Sequence, residues 1–139
     1  MIVIDINVVS ELMRAAPDGS VAAWVADQAP VSLFLSAISE AELRYGVAIM
    51  AAGQRRDRLH GEIDGMLRED FAGRILPFDS EAACAFAEIA AARRAAGRPI
   101  SQADCQIAAI ARSRGAAVAT RNVRDFEGCG IDVIDPWAR

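Results

Sequence analysis

The first seven residues, "MIVIDIN" (1–7), decide how the rest of the chain reads. Ile2, Val3 and Ile4 form a short β-branched run of the kind that makes a buried strand. Asp5 follows at once, and Asn7 stands two residues further on. A carboxylate at the tip of a buried strand is costly to hide unless something partners it. Further apolar runs recur at "VSLFL" (31–35), "RILPF" (74–78), "AAVAT" (116–120) and "IDVI" (131–134), and amphipathic stretches fill the intervals at about 7–14, 18–28, 39–51, 54–70, 80–96 and 101–114. Strands that alternate with helices need crossover connections, which predicts an α/β fold with a central, mostly parallel five-stranded sheet covered on both faces. Ligands of such sheets bind outside the carboxyl ends of the strands, and Asp5 sits at such an end.

The 139 residues suit one domain, taken as 1–139, with no repeat or linker to divide it. Apolar residues make up 53% of the chain, yet no uninterrupted run approaches the ~18 residues of a membrane span, so a soluble protein with no membrane partner is expected. The N-terminus lacks a basic segment followed by an apolar stretch, which makes the cytoplasm the expected location. Cys84, Cys105 and Cys129 are odd in number and far apart, which fits neither a disulfide framework nor paired zinc ligands; they read as core thiols.

All 15 basic residues are Arg. The absence of Lys excludes a Gly-Lys-Ser/Thr phosphate loop and any Schiff-base chemistry. His60 is the single histidine, set in "RRDRLHGEID" (55–64) on what reads as a solvated helix face, so a ribonuclease relaying protons between two histidines is excluded as well. The net charge of −4 does not advertise a nucleic-acid partner, but a local acidic cluster handles phosphate once cations neutralise it.

Two further acids invite attention. In "SAISEAELRYGVAIM" (36–50), Ser39 and Glu42 have capping-box spacing. Helical periodicity sets Glu42 on one face with Gly46 and Ile49, while Glu40 and Arg44 pair on the other; Glu42 therefore reads as inward, and Gly46 as a point of close backbone approach. In "PISQADCQIAAIARSRG" (99–115), Ser101 is a candidate N-cap and Asp104 leads the apolar stripe Ile107, Ala108 and Ala111. Asp79 reads as the N-cap of the helix after "ILPF" (75–78). Asn122 and Asp125 follow the fourth strand run, either as turn formers or as further groups at a strand end. Three carboxylates ~4 Å apart would repel by ~4 kcal/mol per pair at an effective dielectric near 20. Such a cluster protonates or binds a cation, and hard oxygen donors select magnesium or manganese over zinc.

These stretches, with "IVIDINVVSEL" (2–12), "LPFD" (76–79), "ATRNVRDFEGCGI" (119–131) and "VIDPW" (133–137), resemble the PIN-domain nucleases, and among them the VapC-type toxins of type II toxin-antitoxin pairs, close to the FitB-like branch. The resemblance covers nearly the whole chain. It implies a three-layer α/β/α fold and a Mg2+- or Mn2+-dependent endoribonuclease in which Asp5, Glu42 and Asp104 are the acidic catalytic and metal-site residues and Asn7 steadies Asp5. The family's fourth acidic position falls in "TRNVRDF" (120–126), where Asn122 matches in placement without being an acid and Asp125 is the alternative. It also implies a homodimer and a cognate antitoxin partner. One departure stands out: relatives commonly carry Thr where this chain has Ile6, so a hydroxyl near the metal is missing.

On this reading a metal-activated water cleaves a phosphodiester bond in a loop of structured RNA, of the tRNA or rRNA class, leaving a 5′-phosphate and a 3′-hydroxyl. Arg121 and Arg124 are candidates to bind RNA phosphates. Two rivals remain. A receiver-type domain shares the strand–helix alternation but uses a Lys near its acidic pocket, which this chain lacks. A non-catalytic or weakened PIN domain would use the same acids only to dock an antitoxin or RNA.

Overall fold

The computed structural model describes residues 1–138. Five strands form one sheet: β1 (Ile2–Ile4), β2 (Leu33–Ser36), β3 (Ile75–Leu76), β4 (Ala117–Ala119) and β5 (Val133–Ile134). Their order is β3-β2-β1-β4-β5, and every pairing is parallel. Ile2, Val3 and Ile4 lie beside Ala117, Val118 and Ala119 on one flank, and Ile2 and Val3 beside Leu33 and Phe34 on the other. The helices are α1 (Ile6–Leu12), α2 (Gly19–Ala26), α3 (Ala37–Ala48), α4 (Gln54–Gly65), α5 (Ser80–Ala95) and α6 (Gln102–Ser113). Among the described residues no helix is long and apolar enough to cross a membrane.

Alternation along the strands divides the interior in two. Val3 and Val118 face α5 and α6 and pack with Ile89, Ile107, Ile110 and Phe126. Ile4, Leu33, Leu35 and Ala119 face the other way and pack with Val8, Val21, Leu43, Ile63 and Phe71 from the α1–α4 side. The expected three layers are therefore present. Because β1 and β4 are covered on both faces, their side chains read as continuous apolar runs, and the turn residues at their ends are drawn against the core.

The strand runs are shorter than the sequence suggested. Pro30–Ser32 forms a 3₁₀ turn before β2, leaving Val31 74% exposed. Pro77, without an amide donor, stops β3 after two residues. Helix α3 begins at Ala37, two positions earlier than expected, because Ser36 at the end of β2 is the cap: its hydroxyl accepts the Ser39 amide at 3.1 Å. Ser39 is buried inside the first turn, so it does not form a capping box with Glu42. Asp79 caps α5, accepting from the Ala82 amide at 3.0 Å. Ser101 caps α6, and Ile107, Ala108 and Ala111 form its buried stripe. Cys105 and Cys129 are buried, whereas Cys84 is exposed, contrary to the core reading: it lies on the solvent side of α5, whose inward positions are Ala82, Ala85, Ile89 and Arg93. His60 is exposed on α4, as expected.

Candidate active site

The strand order reverses at β1, with β2 on one side and β4 on the other. A crevice opens at the carboxyl ends of strands at such a switch point. The polypeptide leaves β1 at Asp5, whose amide donates to the Ala119 carbonyl at 2.9 Å, so Asp5 extends the β1–β4 ladder by one residue. Asp5 is 4% exposed. Its Oδ1 accepts from the Ile6 amide at 2.8 Å, which caps α1. Its Oδ2 accepts from the Thr120 hydroxyl at 2.8 Å and from the Asn7 side-chain amide at 3.4 Å. Burial pushes the Asp5 carboxyl above its ordinary pKa; the Thr120 and Ile6 bonds work against this, and the nearby Asp125 charge adds to it.

Asp104 lies in the first turn of α6, half-buried, with its carboxyl raised chiefly by burial and also by Asp5 and Asp125, while the Ser101 bond and Arg93 oppose the rise. Glu42 lies on the solvent-facing flank of α3, not on its inward stripe. That stripe is Ser39, Leu43 and Val47, while Gly46 is exposed and Ile49 is 67% exposed. Glu42, Gly46 and Ile49 do share a face, but the larger apolar side chains Leu43 and Val47 draw the adjacent face inward. Nothing approaches within contact of a Cβ built on Gly46, so it is not a point of close approach. Glu42 still borders the crevice: partial burial raises its carboxyl, and the Asp5 and Asp104 charges raise it further. The expected ion pair on this helix is present, with Arg44 3.1 Å from Glu40, and Arg44 also reaches Asp64 at 3.1 Å.

Asp5, Glu42 and Asp104 thus feel one another's charge, and Asp125 joins them. Among the described residues no three His, Cys, Asp or Glu side chains stand close enough to enclose an ion without moving. The carboxylates lie within electrostatic reach of one another without forming a ready-made ion cage among the described residues. The donor set nonetheless suits a hard divalent cation: carboxylates with raised proton affinity, no Lys anywhere in the chain, and the single His remote on α4.

Asn7 connects three groups. Its amide nitrogen lies 3.3 Å from the Thr120 hydroxyl as well as near Asp5, and its Oδ1 accepts from the Arg121 amide at 3.3 Å. Asn122 contributes its backbone, donating to the Thr120 hydroxyl at 3.0 Å and accepting from the Asp125 amide at 3.0 Å, while its side chain is exposed. Arg121 and Arg124 are both exposed beside this segment.

Two residues escaped the sequence reading. Thr120 is completely buried and is the hub of the network around Asp5. Arg93, buried on α5, donates to the carbonyls of Asp125 at 3.0 Å and Glu127 at 2.8 Å, and so pins the turn carrying Asp125 against the crevice. The β-branched end of "AAVAT" (116–120) was the only signal for Thr120, and Arg93 looked like one of two adjacent Arg on a solvated helix end.

The family profile of the PIN domain matches residues 2–128. This chain belongs to the PIN domain family. Over 137 residues it is 46% identical to the VapC ribonuclease Y4jK of Sinorhizobium fredii, covering 99% of this chain and 98% of that one. It is 39% identical to toxin FitB of Neisseria gonorrhoeae, covering 99% of each. The crystal structure of FitAcB from Neisseria gonorrhoeae superposes with a TM-score of 0.94 at 39% identity over the full length of both chains. The PIN resemblance carried by the six motifs therefore holds, together with its α/β/α architecture. In this PIN domain Asp5 and Thr120, at the ends of β1 and β4, bring the opening and closing parts of the chain into one site.

Proposed function

We propose that this chain is the toxin nuclease of a toxin-antitoxin pair, a Mg2+- or Mn2+-dependent endoribonuclease that hydrolyses phosphodiester bonds in loops of structured RNA. The ribonuclease and toxin names of its relatives support this reading. The observation that carries it is Asp5: a nearly fully buried carboxylate at the sheet's switch point, held rigid by three donors and facing further carboxylates in place of a Lys or His. A pure docking module would not need that arrangement.

Asp5 and Asp104 would hold the ion, with Glu42 adding a ligand or orienting water. Asp125 is the better candidate for the fourth carboxylate, since its charge acts on both Asp5 and Asp104, while Asn122 contributes backbone bonds. The bound ion supplies a water of lowered pKa and polarises the phosphate. Thr120, Asn7 and the Ile6 amide keep the Asp5 oxygens fixed, so little reorganisation is required when charge develops. Glu42, whose carboxyl holds a proton more tightly than usual, is the candidate to accept one from the attacking water. Water oxygen would bond to phosphorus as the bond to the 3′ oxygen breaks, with one water proton passing to Glu42 and the departing 3′ oxygen taking a proton from solvent water. A small antitoxin covering the crevice, a homodimeric assembly and a cytoplasmic location belong to the same proposal.

Purified protein incubated with structured RNAs and magnesium or manganese should cleave them. Chelator, Asp5→Asn and Asp104→Asn should each abolish cutting. Equal cleavage in all three would overturn the assignment.

A further inference from the structure

A crevice lined with carboxylates repels the backbone of a polyanionic substrate, so the phosphates flanking the scissile one need a cation placed outside the acids. Arg121 occupies such a place. It follows Thr120 directly at the end of β4, and its amide is bonded to Asn7, the residue that also binds Asp5. Its guanidinium lies over the Trp137 ring, 5.2 Å from the centroid.

Trp137 is itself held firmly. The Thr120 amide donates to the Ile134 carbonyl at 2.9 Å, which fastens the end of β5 to the end of β4. Pro136 is buried, the Trp137 amide donates to Asp135 Oδ1 at 2.9 Å, and the indole packs against the α1–α4 core. Six other Arg side chains are paired with carboxylates: Arg14 with Glu11, Arg44 with Glu40 and Asp64, Arg68 with Asp64, Arg98 with Glu127, Arg112 with Glu88 and Arg114 with Asp79. Arg121 has an aromatic face beneath it and no carboxylate beside it among the described residues. Contact with the ring restrains the guanidinium, and with no carboxylate paired to it the N–H groups are available to a phosphate. Arg124, exposed two residues after Asn122 in the 3₁₀ turn Val123–Phe126, has no such brace.

We propose that Arg121, braced by Trp137, grips an RNA backbone phosphate beside the scissile one, with Trp137 acting as a positioning residue through Arg121. This rests on the nuclease reading above.

The test measures binding of a labelled single-stranded RNA of about 12 nucleotides by fluorescence anisotropy across a salt series, with Asp5→Asn in every protein so that the RNA stays whole. Arg121→Ala should weaken binding ~10-fold and reduce the salt slope by about one phosphate contact. Trp137→Leu should weaken it several-fold while keeping most of the slope, and Trp137→Phe should restore it to within ~2-fold. Adding Trp137→Phe or Trp137→Leu to Arg121→Ala should cause no further loss, because the aromatic acts only through the Arg. In the cleavage-competent protein with Asp5 intact, Arg121→Ala should raise KM and leave kcat within ~3-fold. Arg114→Ala, ten residues along α6 from Asp104, should change neither. Unaltered binding in Arg121→Ala, an equal loss of slope in Arg124→Ala, or additive losses in the double variant would overturn the inference. If Trp137→Leu fails to fold, Arg121→Ala and the Phe variants decide alone. A wild-type chain that neither binds nor cuts RNA would overturn the nuclease reading and this inference together, whereas normal wild-type cleavage with unchanged Arg121 variants overturns only this one.

Discussion

The Thr120 hydroxyl donates to Asp5 Oδ2 at 2.8 Å across 115 residues of sequence, and Thr120 is wholly buried. That one hydroxyl also meets the Asn7 and Asn122 nitrogens. Thr120→Val keeps the shape and removes the oxygen, leaving the Asp5 carboxylate and two donors short of a partner. Stability should fall by ~1–3 kcal/mol, the range for an unsatisfied buried polar group. Cleavage should fall ~10- to 100-fold, and Thr120→Ser should recover most of both. Denaturant unfolding and RNA cleavage measured side by side on the two variants check this.

The family resemblance implies Thr at position 6, but the Ile6 backbone amide already binds Asp5 Oδ1, and Thr120 already supplies a hydroxyl to Oδ2. Ile6→Thr should therefore leave the metal-dependent cleavage rate within ~2-fold. A large gain would mean that this copy is weakened for want of the hydroxyl at position 6.

Magnesium or manganese should raise the melting temperature. At 100-fold over Kd a ligand specific to the folded state adds about 2.7 kcal/mol, or roughly 5–10 °C for a chain of this size. Asp5→Asn and Asp104→Asn should lose most of that shift. The folded carboxyls of Asp5, Glu42 and Asp104 all sit above their ordinary pKa, burial being the first cause in each. Protons therefore compete at higher pH than for free carboxylates, and the metal-induced shift should shrink as pH is lowered from about 8 towards about 5. Thermal melts with and without ion, across that range, provide the measurement.

Thiol labelling should distinguish the cysteines. Cys84 is exposed and should react promptly with a maleimide or disulfide reagent at pH 8. Cys105 is buried, and burial pushes its thiol up to about 11, so it remains protonated at that pH; Cys129 is buried and also raised. One thiol per folded chain and three per unfolded chain is the expected count, and rapid labelling of two in the native state would contradict it.

What could be read in the sequence was mainly local. Asp5 at a strand tip, Ser101 capping α6 and the stripe Ile107, Ala108 and Ala111 each follow from neighbours a few residues apart, and each was found in place. Glu42 was found near the crevice but on a different face, because the buried stripe of α3 runs through Ser39, Leu43 and Val47 and not through Gly46 and Ile49. Thr120 and Arg93 went unseen for another reason: their partners lie 115 and 32 residues away, and only the sheet order brings them together. Trp137 likewise reads as a closing apolar residue until the β4–β5 pairing sets it under Arg121.

The central placement of β4 beside β1 has a consequence for synthesis. Asp5 is made before its Thr120 partner and the strand that buries it, which follow more than a hundred residues later. A partly translated chain holds Asp5, Glu42 and even Asp104 without the strand that locks them into place. A ribosome making this chain therefore carries an unassembled acidic site until β4 has emerged, and the site forms only as β4 pairs with β1.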